Sequence, residues 1–279
     1  MKTSIKRILV PLDPSIYAQA ATETACLIAR RHNGSVTGVA VLDSAEIRSS
    51  LVPAIGPYYP MMIEAVQAKL KHADKTLHDC MARFSKTCEE AGVAHSETEY
   101  EGIPAKKLLE SSIFHDLVVA GLETSFHFET RGGPGDSLEK VLDRTITPVL
   151  AVTAEGLGDV NQVLITFDGS IGAARALHDF AAFADPFNPD VVVAVSGEPE
   201  KTAFLARNAM AFLRSHGIEN VDSIESETPI EELVNDAMLE EYDLVVAGIH
   251  SKKIIKDYFI GSFTRQLIES RKTNLFLSH

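Results

Sequence analysis

Short apolar runs along the chain alternate with longer stretches in which apolar residues recur every three or four positions. The short runs are rich in Val, Ile and Leu and predict buried strands, and the longer stretches predict helices. The predicted strands lie near residues 7–13, 35–42, 95–101, 116–122, 148–153, 162–168, 190–196, 220–227, 243–249 and 274–278. The predicted helices lie near residues 15–32, 60–92, 103–113, 137–145, 172–185, 198–216, 229–240 and 262–272. This alternation predicts an α/β fold in which parallel sheets carry helices on both faces.

The pattern occurs twice. R-I-L-V-P-L-D-P-S at 7–15 resembles Q-V-L-I-T-F-D-G-S at 162–170, and D-L-V-V-A-G at 116–121 is repeated identically at 243–248. Two matches in the same order indicate a duplication, which predicts two tandem, open, Rossmann-like domains with five parallel strands each. The predicted domains are residues 1–153 and 159–279.

The first copy is the longer one. The first pair of matched segments is 155 residues apart and the second pair 127, so the first copy holds 28 additional residues. We expect them after the second strand, at about 44–72, a region that includes the uncharged stretch 51–62. This insertion is interpreted as a loop packed on its own domain, as a lid over a cleft, or as a surface for a partner.

Charge and cysteine content restrict the class of protein. The 279-residue chain has a formal net charge of −13, which argues against a duplex nucleic-acid binder because such proteins need a basic face. No apolar run approaches the ~20 residues that a membrane span needs, so we expect no membrane partner. The three cysteines, Cys26, Cys80 and Cys88, are odd in number and lack metal-ligand spacing. These features predict a cytoplasmic protein with reduced thiols and no metal site.

Candidate ligand residues fall at one edge of each predicted sheet. In open parallel α/β sheets, ligands bind beyond the carboxyl ends of the strands, where the strand order reverses. Asp13 and Asp168 follow the first strands, and glycine-containing loops follow the fourth strands. These residues predict a site in which an aspartate contacts ribose or base and a loop holds phosphate. The alternative is that D-P-S and D-G-S are turn and helix-cap signals.

The second loop, G-I-H-S-K-K-I-I-K-D-Y-F-I-G-S at 248–262, has the composition of a phosphate site. Glycines let the backbone approach an anion, and the first turn of the following helix offers free N–H groups. Six of the ten basic residues in 154–279 lie between 252 and 272, which favours a small anionic ligand. The alternative interpretation of the lysines is a solvated helix end.

The repeated aspartate strand, the D-L-V-V-A-G strand and this loop resemble the universal stress protein family in its tandem two-domain form, over nearly the whole chain. Nucleotide-binding members carry G-x2-G-x9-G-(S/T), and the second half carries G-x2-S-x9-G-S. The resemblance implies phosphate binding at the start of the last helix and ribose and adenine contacts on the first two strands. The implied site residues are Asp168, Val195, Gly248, Ser251, Gly261, Ser262 and Phe263. Secondary candidates are His250, Lys252, Lys253, Asp13, Val41, Gly121 and Gly135.

The first loop departs further from the family pattern. Thr124 occupies the second glycine position, ten residues separate it from Gly135, and Asp136 replaces the phosphate-binding Ser or Thr. A carboxylate at that place repels phosphate. We therefore expect the first half not to bind a nucleotide polyphosphate.

Three functions fit the sequence. The first is a stress or regulatory protein that binds ATP or another adenine nucleotide, with or without Mg²⁺, in residues 159–279. Any ATP hydrolysis would be slow, because no general base, Mg²⁺-ligand set or other catalytic residue is evident. The second is a dimerising adaptor of the same fold that binds no nucleotide, and the third is an unrelated α/β enzyme with another anionic ligand. The resemblance also implies pairing of the last strands, 148–153 and 274–278, within one chain or between chains.

Overall fold

The computed structural model describes residues 4–50, 59–125, 137–249, 252–254, 257–259 and 261–279. For residues 252–254, 257–259 and Ser137, only the backbone is described. The strands are β1 (Arg7–Leu12), β2 (Ser35–Leu42), β3 (His95–Glu101), β4 (Leu117–Gly121), β5 (Val149–Val152), β6 (Gln162–Thr166), β7 (Asp190–Ser196), β8 (Val221–Ser226), β9 (Leu244–Gly248), β10 (Lys252–Ile254), β11 (Asp257–Phe259) and β12 (Asn274–Ser278).

Helices alternate with most of these strands. They are α1 (Ile16–His32), α2 (Ser44–Ser49), α3 (Tyr59–Ala91), α4 (Pro104–Ser112), α5 (Ser137–Leu142), α6 (Ile171–Ala184), α7 (Pro199–Ser215), α8 (Ile230–Leu233), α9 (Asp236–Leu239) and α10 (Ser262–Ser270). The α/β fold with a mostly parallel sheet and helices on both faces is confirmed. No helix in the described ranges is long and apolar enough to cross a membrane.

One sheet runs through both halves of the chain. Within the described residues it contains ten strands in the order β3-β2-β1-β4-β5-β12-β9-β6-β7-β8. Every neighbouring pair is parallel except β5 and β12, which pair antiparallel at the centre. The last strands of the two halves therefore pair with each other inside the chain. Because this central pair is antiparallel, the carboxyl ends of the parallel strands point to opposite edges of the sheet in the two halves.

Two apolar layers cover the sheet. Side chains of α1, α3, α6 and α7 pack on one face, and those of α4, α5, α8, α9 and α10 pack on the other. Near the centre of the first layer, the ring of Phe276 on β12 lies 5.3 Å from the ring of Phe183 on α6. His32 at the end of α1 joins this cluster, because its Nε2 lies 3.0 Å from the Phe183 carbonyl oxygen. The two halves thus share a continuous core.

The structure corrects three details of the sequence prediction. The region 44–72 begins with the short helix α2, capped by Asp43, whose side chain accepts a hydrogen bond from Glu46 N at 2.9 Å. Residues 51–58 lie outside the described residues. The helix predicted at 229–240 is two short helices, because Val234 leaves the helical conformation and Asn235 caps a new turn. The second glycine loop contains the two-stranded antiparallel pair β10 and β11.

Candidate functional site

The strand order reverses once in each half, and the fold rule for open α/β sheets places a ligand crevice at such a point. The reversal lies between β1 and β4 in the first half and between β6 and β9 in the second. Asp13 follows β1 and Gly121 ends β4, whereas Asp168 follows β6 and Gly248 ends β9. The structure therefore brings each predicted aspartate next to the start of its glycine loop. Crevices of this kind are the usual ligand sites of open α/β sheets.

Both aspartates organise the turn that starts the next helix. Asp13 Oδ1 accepts hydrogen bonds from Ser15 N at 3.1 Å and from Ser15 Oγ at 2.5 Å. Asp168 Oδ1 accepts one from Ser170 N at 2.9 Å. Ser15 and Ser170 in turn cap α1 and α6, as their side-chain oxygens accept from backbone N–H groups in the first turn. The turn-and-cap interpretation of D-P-S and D-G-S therefore accounts for one oxygen of each carboxylate.

The two aspartates differ in their exposure to solvent. Asp13 is 1% exposed, and its Oδ2 accepts a hydrogen bond of 2.6 Å from Ser125 N, on the loop that follows β4. Burial raises the pKa of Asp13, although hydrogen bonds from Ser15 and Ser125 act in the opposite direction. Asp168 is exposed. The hydrogen bond from Ser125 N thus ties the buried Asp13 to the loop that follows β4, whereas Asp168 is an exposed residue.

Gly121 and Gly248 are needed for packing. A Cβ atom on Gly248 would lie 2.3 Å from Ala173 N and from the carbonyl carbon of Gly172, in the first turn of α6. A Cβ on Gly121 would lie 2.2 Å from Cβ of Tyr17 in α1. The first glycine of each loop therefore lets a helix approach the end of a strand. This role explains why the D-L-V-V-A-G segment ends in glycine in both halves, with or without a ligand.

The strand register identifies a residue that the sequence analysis missed. Leu12 pairs with Ala40 in the first half. In the second half Thr166 pairs with Ala194, so the register places the next residue, Phe167, opposite Val195. Phe167 is the counterpart of Leu12, and Val195 is therefore the counterpart of Ala40. The residue that corresponds to Val41 is then Ser196. The signal is present in the sequence, because both Val41 and Ser196 stand 28 residues after the aspartate of their half.

Val195 and Val41 are both buried, on opposite faces of the sheet. The Val195 side chain packs in the layer formed with α6 and α7, so only its backbone remains for a ligand. Ser196 points to the same face as Ala194, which is the face covered by α10. Its Oγ donates a hydrogen bond of 2.6 Å to the carbonyl oxygen of Thr228. Ser196 is thus the polar side chain at the end of β7 on the α10 side.

Helix α10 begins with the predicted Gly-Ser pair. Gly261 is its N-cap in an extended conformation, with φ −59° and ψ 154°, and has no side chain that could cap the helix. Ser262 is exposed at the first helical position, and Phe263 packs partly against the apolar layer of that face. The first N–H groups of a helix have no partners within the helix, so this end of α10 is suited to an anion.

Several candidates cannot be placed by their side chains. Ser251, His250 and Gly135 lie outside the described residues. Lys252 and Lys253 belong to β10, where the backbone of Lys252 pairs with Phe259 and that of Lys253 with Tyr258. In the described part of the chain, no three His, Cys, Asp or Glu side chains are grouped so that they could hold a metal ion.

The described start of the first loop, residues 122–125, contacts both its own domain and the second half. Thr124 is buried, and its Oγ1 donates a hydrogen bond of 2.9 Å to the Gly121 carbonyl oxygen. The preceding residue, Glu123, forms an ion pair with Arg271, which ends α10 in the second half. One acidic residue of this loop therefore pairs with a cation from the other half.

Known proteins share this α/β fold. The model of the universal stress protein family matches residues 4–153. The chain belongs to the universal stress protein family, in its tandem two-domain form. No curated protein matches the chain.

Solved structures of low identity share the fold over the full length. A universal stress protein from Archaeoglobus fulgidus has a TM-score of 0.70 and 18% identity, with 98% of this chain and 97% of that chain covered. A protein of unknown function from Pseudomonas aeruginosa has a TM-score of 0.63 and 12% identity, with 99% and 93% covered. At such identities these likenesses support the fold alone.

Proposed function

We propose that residues 159–279 bind an adenine nucleotide, ATP or a relative, in the crevice between β6 and β9. The observation that carries this proposal is the exposed position of Asp168 at the point where the strand order reverses. Gly248 begins the loop on the adjacent strand, and this loop leads to α10, whose first turn has no side-chain cap among the described residues. A carboxylate for a sugar hydroxyl and a helix N-terminus for phosphate therefore belong to one edge of the sheet.

The residues divide between the two ends of such a ligand. Gly261 leaves the first turn of α10 open to a phosphate group, and the N–H groups of Ser262 and Phe263 would donate to it. Asp168 would accept a hydrogen bond from a ribose hydroxyl. Ser196 and the backbone of Val195 would border the base at the end of β7.

The charge distribution of the second half supports an anionic ligand. Residues 154–251 contain four basic and eighteen acidic residues, whereas 252–272 contains six basic and two acidic ones. Three of these basic residues, Lys252, Lys253 and Lys256, belong to the loop that would face the phosphates, whereas Arg271 and Lys272 lie at the other end of α10 in ion pairs. An electrostatic preference for an anion follows from this local excess of positive charge. A Mg²⁺ ion, if it accompanies the nucleotide, would take its ligands largely from phosphate oxygens and water.

The proposal includes a stoichiometry of one nucleotide per chain. In the first half, the Ser125 N–H occupies Asp13 Oδ2, and Asp13 is buried. The closed crevice would have to lose this hydrogen bond before a ribose could reach Asp13. Membership of the universal stress protein family supports a regulatory or stress-protective role. The protein would exert this role through the one half that is occupied by nucleotide.

Calorimetric titration of the whole chain with ATP, AMP and GTP tests the proposal. We expect one site per chain, tighter binding of ATP than of AMP because of the additional phosphates, and weaker binding of GTP. Gly261→Asp should abolish binding, because it places a carboxylate at the phosphate position. Gly158→Asp is the matched control: it adds the same charge in the linker, where a Cβ meets nothing within 4 Å among the described residues.

Absence of binding at millimolar nucleotide, with no nucleotide released from gently purified protein in mass spectrometry, would contradict the proposal. A Gly261→Asp variant that binds as well as the natural chain would show that the site lies elsewhere. Two sites per chain would contradict the closed state of the first crevice.

A further inference from the structure

All three cysteines of the chain lie buried between α1 and α3 in the first half. Cys26 on α1 is 3% exposed, and Cys80 and Cys88 on α3 are 4% and 0% exposed. They pack in the same apolar layer as Leu77 and Phe84. None of them is among the residues proposed above to contact a nucleotide, so the nucleotide proposal does not account for them.

Two of these thiols face each other. The sulfur atoms of Cys26 and Cys88 lie 3.6 Å apart, although the two residues are 62 positions apart in the chain. A disulfide requires a sulfur separation of about 2.05 Å, so the two atoms need to approach by only about 1.5 Å. Side-chain rotation with a small shift of one helix supplies a movement of this size. The packing of α1 on α3 has therefore already brought the pair close to bonding geometry.

The third cysteine is held apart from this pair. Arg83 Nη2 donates a hydrogen bond of 3.2 Å to Cys80 Sγ. Cys80 and Cys88 are eight residues apart on one helix, which separates them by about 12 Å along the axis. Cys80 is thus an internal control, buried like the others but not in contact with Cys88.

The environments of the two facing thiols are unequal. The hydrogen bond between the two thiols lowers the pKa of Cys26, while burial acts in the opposite direction. The same interaction, together with burial, raises the pKa of Cys88. Cys88 also lies in the last turn of α3, which ends at Ala91 before Gly92 with φ 67°. The ends of helices open more readily than their centres, which gives a small oxidant a path to the pair.

We propose that Cys26 and Cys88 are an oxidation site at which hydrogen peroxide closes a disulfide between α1 and α3. The Cys26 thiolate attacks one peroxide oxygen, the O–O bond breaks, and the departing hydroxide takes up a proton to become water. The sulfur of Cys88 then attacks the sulfenic acid on Cys26, the S–O bond breaks, and the second oxygen leaves as water with the thiol proton. Two thiols are oxidised by two electrons, and one peroxide is reduced to two waters.

The bond would add a covalent link between two helices that are otherwise joined by packing and by a hydrogen bond of 3.2 Å from Gln19 Nε2 to Thr87 Oγ1. It would close a loop from Cys26 to Cys88, which includes β2, α2 and most of α3. Cross-linking a loop of this length restricts the unfolded chain, so the oxidised form should unfold at a higher temperature than the reduced form.

Mass spectrometry of the intact, folded chain tests this proposal. The reduced protein is treated with hydrogen peroxide, denatured and alkylated with N-ethylmaleimide. We expect one alkylated thiol in place of three, at Cys80, together with a Cys26–Cys88 peptide that disappears after reduction with dithiothreitol. The melting temperature should rise by several degrees on oxidation and return on reduction.

Single variants provide matched controls. Cys80→Ser should still form the bond, whereas Cys26→Ser and Cys88→Ser should not. Because peptide mapping of the natural chain needs no variant, a variant that fails to fold leaves the test intact. Three alkylated thiols after peroxide treatment, a bond that involves Cys80 or a second chain, or sulfinic acid at Cys26 without a disulfide would each overturn the proposal.

Discussion

Ser125 donates its backbone N–H to Asp13 Oδ2 at 2.6 Å, and this hydrogen bond joins the ends of β1 and β4 across the crevice of the first half. The two residues are 112 positions apart in the chain. The corresponding aspartate of the second half, Asp168, is exposed. Two sequence-related aspartates thus have different surroundings. One supports the fold of its half, and we propose that the other contacts a ligand.

Substitution of the two aspartates should separate these roles. Asp13→Asn removes a buried acceptor and should lower the free energy of unfolding by about 1–3 kcal/mol, because backbone donors lose their charged partner. Asp168→Asn should change stability by less than about 1 kcal/mol and weaken ATP binding by about tenfold or more. Chemical denaturation and calorimetric titration of both variants measure the two effects.

Each variant serves as the control for the other, since the chemical change is identical. The assignment fails if Asp13→Asn weakens ATP binding at unchanged stability, or if Asp168→Asn destabilises the fold while the affinity for ATP is unaffected.

Gly248 should resist substitution even in the absence of nucleotide. Gly248→Ala places a Cβ 2.3 Å from backbone atoms of α6, so α6 has to move away from β9. We expect a loss of about 1–3 kcal/mol in the free energy of unfolding, as for other overpacked sites. Gly158→Ala, where the described residues leave a Cβ free of contacts within 4 Å, should be neutral or slightly stabilising.

Denaturation with urea in the absence of nucleotide measures both glycine variants. If Gly248→Ala were as stable as the natural chain but bound no ATP, the glycine would serve the ligand and not the packing of α6.

The fold was predictable from the sequence because strands buried on both faces appear as continuous apolar runs, such as D-L-V-V-A at 243–247. Helix starts were marked by residues with a specific chemical role, such as Ser15 and Ser170. The break at Val234 was missed because the apolar periodicity continues through it. The pair β10 and β11 was missed because strands of three residues give too short a pattern.

The site was less predictable than the fold. Whether the Asp13 carboxylate can reach a ligand depends on its hydrogen bond with Ser125 N. Nothing near Asp13 in the sequence indicates that contact. Likewise, strand register decides whether Val195 or Ser196 corresponds to Val41. Successive side chains of a strand lie on opposite faces of the sheet, so an error of one residue places the candidate on the wrong face. The equal spacing of Val41 and Ser196 from their aspartates was available in the sequence as a signal for the correct register.

Asn274 should be more important for the junction of the two halves than the ion pair between Glu123 and Arg271. Its Oδ1 accepts from Thr153 N at 3.0 Å, and its Nδ2 donates to the Asp243 carbonyl oxygen at 3.0 Å. Asn274→Ala leaves these groups buried without a partner and should cost about 1–3 kcal/mol. Arg271→Gln breaks a half-exposed ion pair and should cost less than about 1 kcal/mol.

Denaturation curves of the two junction variants, followed by circular dichroism, give the comparison. A larger loss for Arg271→Gln than for Asn274→Ala would show that the ion pair, and not the buried amide, holds the junction.

His32 should make stability depend on pH. Burial lowers the pKa of His32, while its contact with the Phe183 carbonyl oxygen acts in the opposite direction; Lys6 lowers the pKa slightly and Asp185 raises it. The unfolded chain binds a proton at His32 more readily than the folded chain does. The contribution of neutral His32 to stability is therefore complete above pH 6.5 and declines as the pH falls towards the lowered pKa of the folded state. The slope is at most about 1.4 kcal/mol per pH unit.

His32→Gln should reduce the slope of the unfolding free energy between pH 7.5 and 5, measured in urea. His216→Gln, at an exposed position at the end of α7, is the matched control and should reduce the slope by less than His32→Gln does. An unchanged slope in His32→Gln would contradict a neutral, buried His32.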